Sequence, residues 1–268
     1  MLNVSMLGRL SVTVAQHRIA LDLGPSGRMM AGYLFEFPGR VHRRDYLAEM
    51  FWGERAPAQA RAAMNTALWR LRKLLDREPH APGDTGLCSH ADEIVFECPP
   101  WVEIDTHGFD AAVRQALTGP ALQDTAQRAR VLEAATQRYV GCFLEGDDGD
   151  WVIAERERLH SLYVRCLGEL IRLYAAGNDL EPAIAAARRV LAADPFRETV
   201  VRILALLLFL NGQRAQAITE LTRWQAALRS QVGVDALPET LALRCALVSG
   251  TICDEIERWR QSHLGHAA

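Results

Sequence analysis

The segment Arg61–Leu75 (RAAMNTALWRLRKLL) constrains the fold of this chain more than any other stretch. Its apolar residues recur at helical spacing, which predicts an amphipathic helix with one buried stripe. The opposite face carries guanidinium, amide and hydroxyl groups, which hydrogen-bond to phosphates and to base edges in a DNA major groove. For an isolated helix, a solvated basic face is the alternative interpretation. The residues of this exposed face are Arg61, Asn65, Thr66, Trp69, Arg70, Arg72 and Lys73.

Charge is distributed unevenly along the chain. The 268 residues carry a net charge of −3. Residues 40–77 hold nine basic and four acidic side chains, a net +5, so the remainder carries −8. A basic region on an acidic body is typical of a protein that contacts DNA at one place and repels it elsewhere.

The pattern of reactive residues argues against an enzyme. Six cysteines and eight histidines show neither a CxxC pair nor zinc-ligand spacing. We find no nucleophile–base or paired-carboxylate arrangement, so we expect no catalytic residue, no metal and no cofactor. Cys88 and Cys98 could face each other across a hairpin. Cys142, Cys166 and Cys245 lie among apolar residues and are expected to be reduced core side chains.

Localisation can be predicted from the apolar runs. The N-terminus shows no signal-peptide pattern, and the longest apolar run, 203–210, is too short to span a bilayer. We therefore expect a cytoplasmic protein without a membrane partner.

The periodicity changes near residue 100. The first hundred residues read as three short strands, a helix capped by Ser26 that runs to Phe37, a short helix over RRDYLAEMFW, the long helix to about Asp76, and a hairpin with HAD at its tip. Beyond Val102 the chain reads as helices. The predicted helices are 105–118, 122–139, 151–176, 180–193, 196–211, 214–230, 238–249 and a final piece at 253–262.

The helical half contains an internal repeat. Ala183-Ile184 and Ala217-Ile218 stand 34 residues apart, and each follows a Gly-Asn or Asn-Gly turn. This period is typical of tetratricopeptide-type (TPR) helix pairs. We therefore predict a short helical solenoid whose concave face can receive a partner.

Two sets of motifs resemble known families. Arg70-Leu71-Arg72-Lys73 and the element with Gly39, Val41, Arg44, Leu47 and Trp52 resemble the OmpR-type winged helix. The segments IDTHGFDAAVRQAL, GCFLEGDDGDWVIAERERL, AADPFRE, NGQRAQAI and VGVDALPET resemble the bacterial transcriptional activator domain. Together, in this order, they resemble the SARP class of activators over roughly residues 2–250.

The resemblance implies an α+β winged helix followed by an all-α, TPR-like domain. The implied domains are 1–100, 101–250 and a tail at 251–268. The implied function is a sequence-specific transcription activator that binds double-stranded promoter DNA at direct repeats, contacts RNA polymerase and forms a homodimer. Glu54 and Arg55, in the loop before the recognition helix, are the implied polymerase contacts.

Several interpretations of single residues stay open. Arg70 contacts DNA or forms a salt bridge to Glu54 or Asp76. Arg43 and Arg44 begin the supporting helix and clamp phosphates or only balance surface charge. Trp69 contacts DNA or packs against the wing.

The hairpin tip raises a second hypothesis for the whole chain. The tip, 90–93, is acidic where the family has basic residues, and carboxylates repel phosphates. An interaction adaptor that has lost DNA binding, and whose TPR-like half carries the function, is therefore the alternative.

Overall fold

The computed structural model describes residues 1–76, 85–118 and 124–252. The expected helix at 253–262 lies outside these residues. In chain order the elements are β1 (Leu2–Ser5), β2 (Ser11–Val14), β3 (His17–Ile19), α1 (Gly24–Glu36), β4 (His42–Arg43), α2 (Arg44–Trp52), α3 (Pro57–Leu75), β5 (Leu87–His90), β6 (Glu93–Phe96), β7 (Val102–Ile104), α4 (Asp105–Thr118), α5 (Thr125–Arg138), α6 (Asp150–Ala176), α7 (Leu180–Ala193), α8 (Glu198–Leu210), α9 (Arg214–Gln231) and α10 (Pro238–Ser249).

The chain forms two compact units. The first comprises Met1–Arg114 with Gln137–His160, and the second comprises Gln115–Thr136 with the chain from Ser161 onward. The domain limits expected from the sequence, 1–100 and 101–250, remain a prediction.

The first unit is a winged helix framed by two small sheets. One sheet has the order β3-β2-β1-β7, in which β7 runs parallel to β1, and the other has the order β4-β6-β5. Phe35 of α1 packs edge-on against Phe96 of β6, with ring centroids 5.2 Å apart, and both rings are fully buried. The strands β5 and β6 form the wing, and its register places Cys88 opposite Val95. The expected facing of Cys88 and Cys98 is therefore wrong.

An aspartate ties the start of α4 to the first sheet. The Asp105 carboxylate accepts backbone N–H bonds from Met6 at 2.9 Å and Leu7 at 3.0 Å. Burial raises the pKa of this carboxyl, and these bonds oppose the shift. The sequence did not predict the strand β7, which directly precedes Asp105, because a strand of three residues carries almost no periodicity.

Trp151 packs among aromatic rings in the same unit. Its ring lies 5.0 Å from that of Tyr33 and 5.9 Å from that of Phe143. Arg156 donates hydrogen bonds to the carbonyl oxygens of Phe143, Leu144 and Asp147. These contacts are structural and keep the chain after α5 in place.

The second unit is a stack of helices. The helices pack in sequential pairs, α7 with α8, α8 with α9 and α9 with α10. The repeat residues Ala183, Ile184 and Ala217 are buried at matching places in α7 and α9. The predicted fold class, a winged helix followed by an all-α, TPR-like part, is confirmed.

The expectation of three buried core cysteines is correct for one of them and wrong for two. Cys166 is buried, as expected, but Cys142 and Cys245 are exposed. A cysteine in an apolar stretch can still lie on the outer side of its helix or loop. No helix within the described ranges has the length and apolar character to cross a membrane.

Candidate nucleic-acid interface

The helix α3 forms because its sequence favours a start at Pro57 and an uninterrupted apolar stripe. Proline at the first turn needs no N–H partner and has the helical φ already. The buried residues of the stripe are packed against α1 and α2. At Gly27 of α1 a Cβ would lie 3.2 Å from the Cβ of Ala67, so glycine allows this close approach. The buried set is Ala60, Met64, Ala67, Leu68, Leu71, Leu74 and Leu75.

The opposite face of α3 is exposed, as predicted. Arg72 is the one member that is half-buried among the seven expected there. The six exposed members are Arg61, Asn65, Thr66, Trp69, Arg70 and Lys73.

The first half of this face is tied to α2. Nη2 of Arg61 lies 2.8 Å from Oδ1 of Asp45, in an ion pair whose two side chains are both more than half exposed. The side-chain oxygen of Asn65 accepts a 2.8 Å hydrogen bond from Nη1 of Arg44. The Thr66 hydroxyl donates to the carbonyl oxygen of Ala62 within the helix. A side chain held in one rotamer loses less entropy when it binds.

Arg70 contacts the chain just before α1. Its Nη1 donates to the carbonyl oxygen of Asp22 at 3.1 Å and lies 3.6 Å from the Asp22 carboxylate. The sequence suggested Glu54 or Asp76 as an ion-pair partner for Arg70, and Asp22 occupies that role instead. Arg70 and Asp22 are 48 positions apart in the sequence, which explains why no local pattern pointed to this pair.

The second half of the face borders the wing. Nη2 of Arg72 donates to the Ser89 hydroxyl of β5 at 2.5 Å. Trp69 remains 59% exposed, with Nζ of Lys73 5.9 Å from its ring centroid. Trp69 is thus not buried by the wing, although its indole borders an open recess that Leu87 of β5 also lines. Contact with DNA and packing against the wing both remain predictions for this residue. An exposed indole is available to a ligand.

Arg43 and Arg44 differ from the expectation that both begin the supporting helix. Arg43 belongs to β4 and pairs in register with Glu93 of the wing, while α2 begins at Arg44. The backbone N–H of Arg44 donates to the carbonyl oxygen of Asp92 at 2.7 Å, and its Nε donates to that of Ala91 at 3.2 Å. Strand pairing with the wing therefore determines where this helix starts.

The wing tip is a tight turn with acidic side chains. Ala91 has a φ of +47°, which its position in a two-residue turn requires. Asp92, in this turn, and Glu93, the first residue of β6, are both exposed. Their charge works against close approach of the tip to phosphates.

The loop between α2 and α3 is exposed, as the implied polymerase contact requires. Oε1 of Glu54 and Nε of Arg55 lie 4.0 Å apart, and both side chains are largely open to solvent. Both partners of this ion pair belong to the loop, so the pair does not tie the loop to a helix or strand. Within the described ranges the structure contains no cluster of three His, Cys, Asp or Glu side chains that could hold a metal ion.

Comparison with known proteins places the chain in a family. The model of the bacterial transcriptional activator domain matches residues 104–248, more than half of the chain. Regulatory protein AfsR of Streptomyces griseus is 24% identical over 220 residues, covering 82% of this chain and 22% of AfsR. AfsR of Streptomyces coelicolor is 26% identical, and the match covers 80% of this chain and 21% of that AfsR. This chain thus spans about a fifth of the length of the AfsR proteins.

Two further proteins match most of the chain. Transcriptional regulatory protein MoaR1 of Mycobacterium tuberculosis is 25% identical over 256 residues, with 89% of this chain and 76% of MoaR1 covered. The solved structure of Mycobacterium tuberculosis EmbR in complex with a low affinity phosphopeptide superposes with a TM-score of 0.70 at 23% identity, over 93% of this chain and 65% of EmbR. The chain belongs to the bacterial transcriptional activator domain family, and it is similar to the SARP-type regulatory proteins AfsR and MoaR1.

Proposed function

We propose that this regulator is a sequence-specific activator that binds promoter DNA in the cytoplasm and reads the major groove with α3. One observation carries the proposal: α3 buries its apolar stripe completely and turns a row of cationic, amide, hydroxyl and indole groups to solvent. The N-terminal half of a recognition helix enters the groove most deeply. Arg61, Asn65 and Thr66 lie in that half.

The geometry favours base contacts in one part of the exposed face of α3 and phosphate contacts in another. Asn65 and Arg70 are the base-reading candidates, together with Arg61. Lys73 and Arg72 suit phosphate contacts at the far end. Arg43, exposed on β4, is a further phosphate contact, while Arg44 also holds the wing.

The carboxylates near this face do not prevent binding. The ion pairs Arg61–Asp45 and Arg70–Asp22 both involve exposed side chains. Such pairs contribute about 0–1 kcal/mol each. A DNA phosphate or a guanine edge can therefore replace the carboxylate at small cost.

The double variant Arg70→Ala, Asn65→Ala tests the proposal. We expect loss of specific promoter binding in a gel-shift titration, with an unchanged circular dichroism spectrum. Each phosphate-bound arginine contributes about one unit to the salt slope. The matched control is Arg223→Ala, an exposed arginine of α9, which should bind DNA normally. Unchanged DNA affinity in the double variant would refute the assignment of the exposed face of α3 as the DNA-reading face.

The resemblance supports further partners. We propose that Glu54 and Arg55 contact RNA polymerase, that the protein binds direct repeats, and that it does so as a homodimer through the helical part. Replacing both loop residues by alanine should lower transcription in a reconstituted system without changing DNA affinity. A parallel loss of DNA affinity would contradict a polymerase role for the loop.

The second candidate function is an interaction adaptor. The acidic wing tip at Asp92 and Glu93 favours it, together with the carboxylates that pair with Arg61 and Arg70. An adaptor shows no salt-dependent binding to genomic DNA fragments. The same gel-shift titration of the unmodified protein therefore separates the two functions.

A further inference from the structure

One arginine makes three contacts at the centre of the proposed interface. The backbone N–H and Nε of Arg44 bind the carbonyl oxygens of Asp92 and Ala91 at the wing tip, and Nη1 binds the side chain of Asn65 on α3. A guanidinium can only donate, so the Asn65 atom that faces it is the oxygen, Oδ1. The orientation of this amide is therefore fixed by Arg44.

The fixed amide presents donors to an incoming ligand. Nδ2 of Asn65 carries two N–H groups on the side opposite Oδ1. The two guanidinium contacts of Arg44 engage two of its five N–H groups. The Arg44–Asn65 pair thus forms an edge that mainly donates hydrogen bonds, because Oδ1 of Asn65 already accepts a charge-assisted bond from Arg44.

This edge distinguishes the two purines. Asparagine reads adenine by accepting from N6 on Oδ1 and donating from Nδ2 to N7. In the pair, Arg44 already occupies one of the two lone pairs of Oδ1. The N–H groups and positive charge of the guanidinium lie beside this oxygen and repel the N6 amino group, which is itself a donor. Guanine offers two acceptors, O6 and N7, which match a donor edge.

The charges around the pair are compatible with this reading. Asp45 and Asp92 border the same cleft as Arg44 and Asn65. The Asp45 carboxylate lies 2.8 Å from Arg61 and is neutralised by it. Arg44 and Arg61 thus balance the two carboxylates at this point of the interface.

We propose that Arg44 and Asn65 act as one unit that selects guanine over adenine at one position of each bound repeat. This inference rests on the proposed DNA-binding function. Asn65 contacts the base, and Arg44 fixes its amide and adds a second donor. Removing Arg44 takes the positive charge and its donors away from Oδ1, so Asn65 alone then favours adenine at the same position.

In vitro selection from random duplex DNA with the full chain tests this inference. We expect the unmodified protein to enrich guanine at the Asn65-dependent position by about tenfold or more over adenine. Arg44→Ala should shift that position towards adenine. Replacing the guanine by 7-deazaguanine should weaken binding of the unmodified protein about tenfold and have no effect on Asn65→Ala.

A second variant avoids reliance on Arg44→Ala, which also loosens the wing. Asn65→Asp keeps an acceptor for Arg44 but has no N–H to donate, so it should lose the guanine preference with the fold retained. Arg223→Ala is the control for selection. Adenine enrichment by the unmodified protein at that position, or an unchanged preference in Asn65→Ala, would overturn the inference and leave DNA binding intact. Failure to enrich any sequence would overturn the proposed function as well.

Discussion

The Thr106 hydroxyl of α4 donates a 2.7 Å hydrogen bond to Oε2 of Glu36, a buried carboxylate at the end of α1. Nη2 of Arg158 lies 3.9 Å from the other oxygen of Glu36 and 2.6 Å from the Glu155 carboxylate. Desolvation by burial raises the pKa of Glu36 to about 8, and Glu155 adds to the shift, while Thr106 and Arg158 oppose it. The first unit thus folds around a carboxyl that favours its protonated form.

The stability of this unit should therefore fall as the pH rises. Between pH 4.5, the ordinary pKa, and about pH 8, the folded chain holds a proton on Glu36 that the unfolded chain has lost. The free energy of unfolding is highest below this window and decreases through it. Glu36→Gln keeps an acceptor for Thr106 and cannot ionise, so it should be more stable than the unmodified chain above pH 8.

Urea unfolding between pH 5 and pH 9, followed by circular dichroism, measures this dependence. Glu157→Gln, an exposed glutamate of α6, is the matched control and should keep the slope of the unmodified protein. A slope that is unchanged in Glu36→Gln would show that another group carries the pH dependence.

Removing the carboxylate of Asp22 should strengthen DNA binding. Asp22 lies 3.6 Å from Nη1 of Arg70 and competes with phosphate for it. We expect Asp22→Asn to raise the affinity about two- to fivefold at low salt, and the gain to shrink as salt screens the charges. Asp235→Asn removes a carboxylate that lies at the same 3.6 Å from Arg229 in the second unit, and should change nothing. Weaker binding by Asp22→Asn would mean that the aspartate helps to present Arg70.

Two adjacent residues of α3 should behave in opposite ways. Leu68 is fully buried, so Leu68→Ala removes core packing and should cost about 2–5 kcal/mol of unfolding free energy. Trp69 is 59% exposed, so Trp69→Ala should cost less than about 1 kcal/mol but weaken DNA binding. Thermal unfolding and gel shift on both variants give the comparison. A stability loss in Trp69→Ala as large as that in Leu68→Ala would contradict an exposed, ligand-facing indole.

The sequence predicts which face of α3 is buried, because helical periodicity depends on neighbours three and four residues apart. The same periodicity predicted α4, α7 and α10 with the bounds that the structure has. It did not predict the partners of the exposed side chains. Arg70 meets Asp22 and Arg72 meets Ser89 across 48 and 17 residues, and such pairs depend on how separate elements pack.

The start of α1 was also predicted wrongly from the local sequence. Ser26 was the expected N-cap, but the helix begins at Gly24 with Leu23 as the cap residue and without a side-chain cap bond. Pro25 in the first turn favours this earlier start. Packing of the helix against α2 and α3 outweighs the preference of serine for the cap position.

In the second unit, Arg189 joins α7 to the end of α5. Its Nη1 lies 3.2 Å from Oε1 of Glu133, and its Nη2 donates to the carbonyl oxygen of Thr136 at 3.1 Å. Arg189→Ala leaves both acceptors in a half-buried place without this donor, which should cost about 1–3 kcal/mol.

The neighbouring Arg188 provides the control for Arg189, because it is exposed on the same helix. Arg188→Ala should change stability by less than about 0.5 kcal/mol. Since the chain has two compact units, hydrogen exchange in α5 and α7 is a better measure than a single unfolding curve. We expect faster exchange in both helices for Arg189→Ala alone, with the winged helix unaffected. Equal exchange in the two variants would show that apolar packing, and not the arginine, holds α5 against α7.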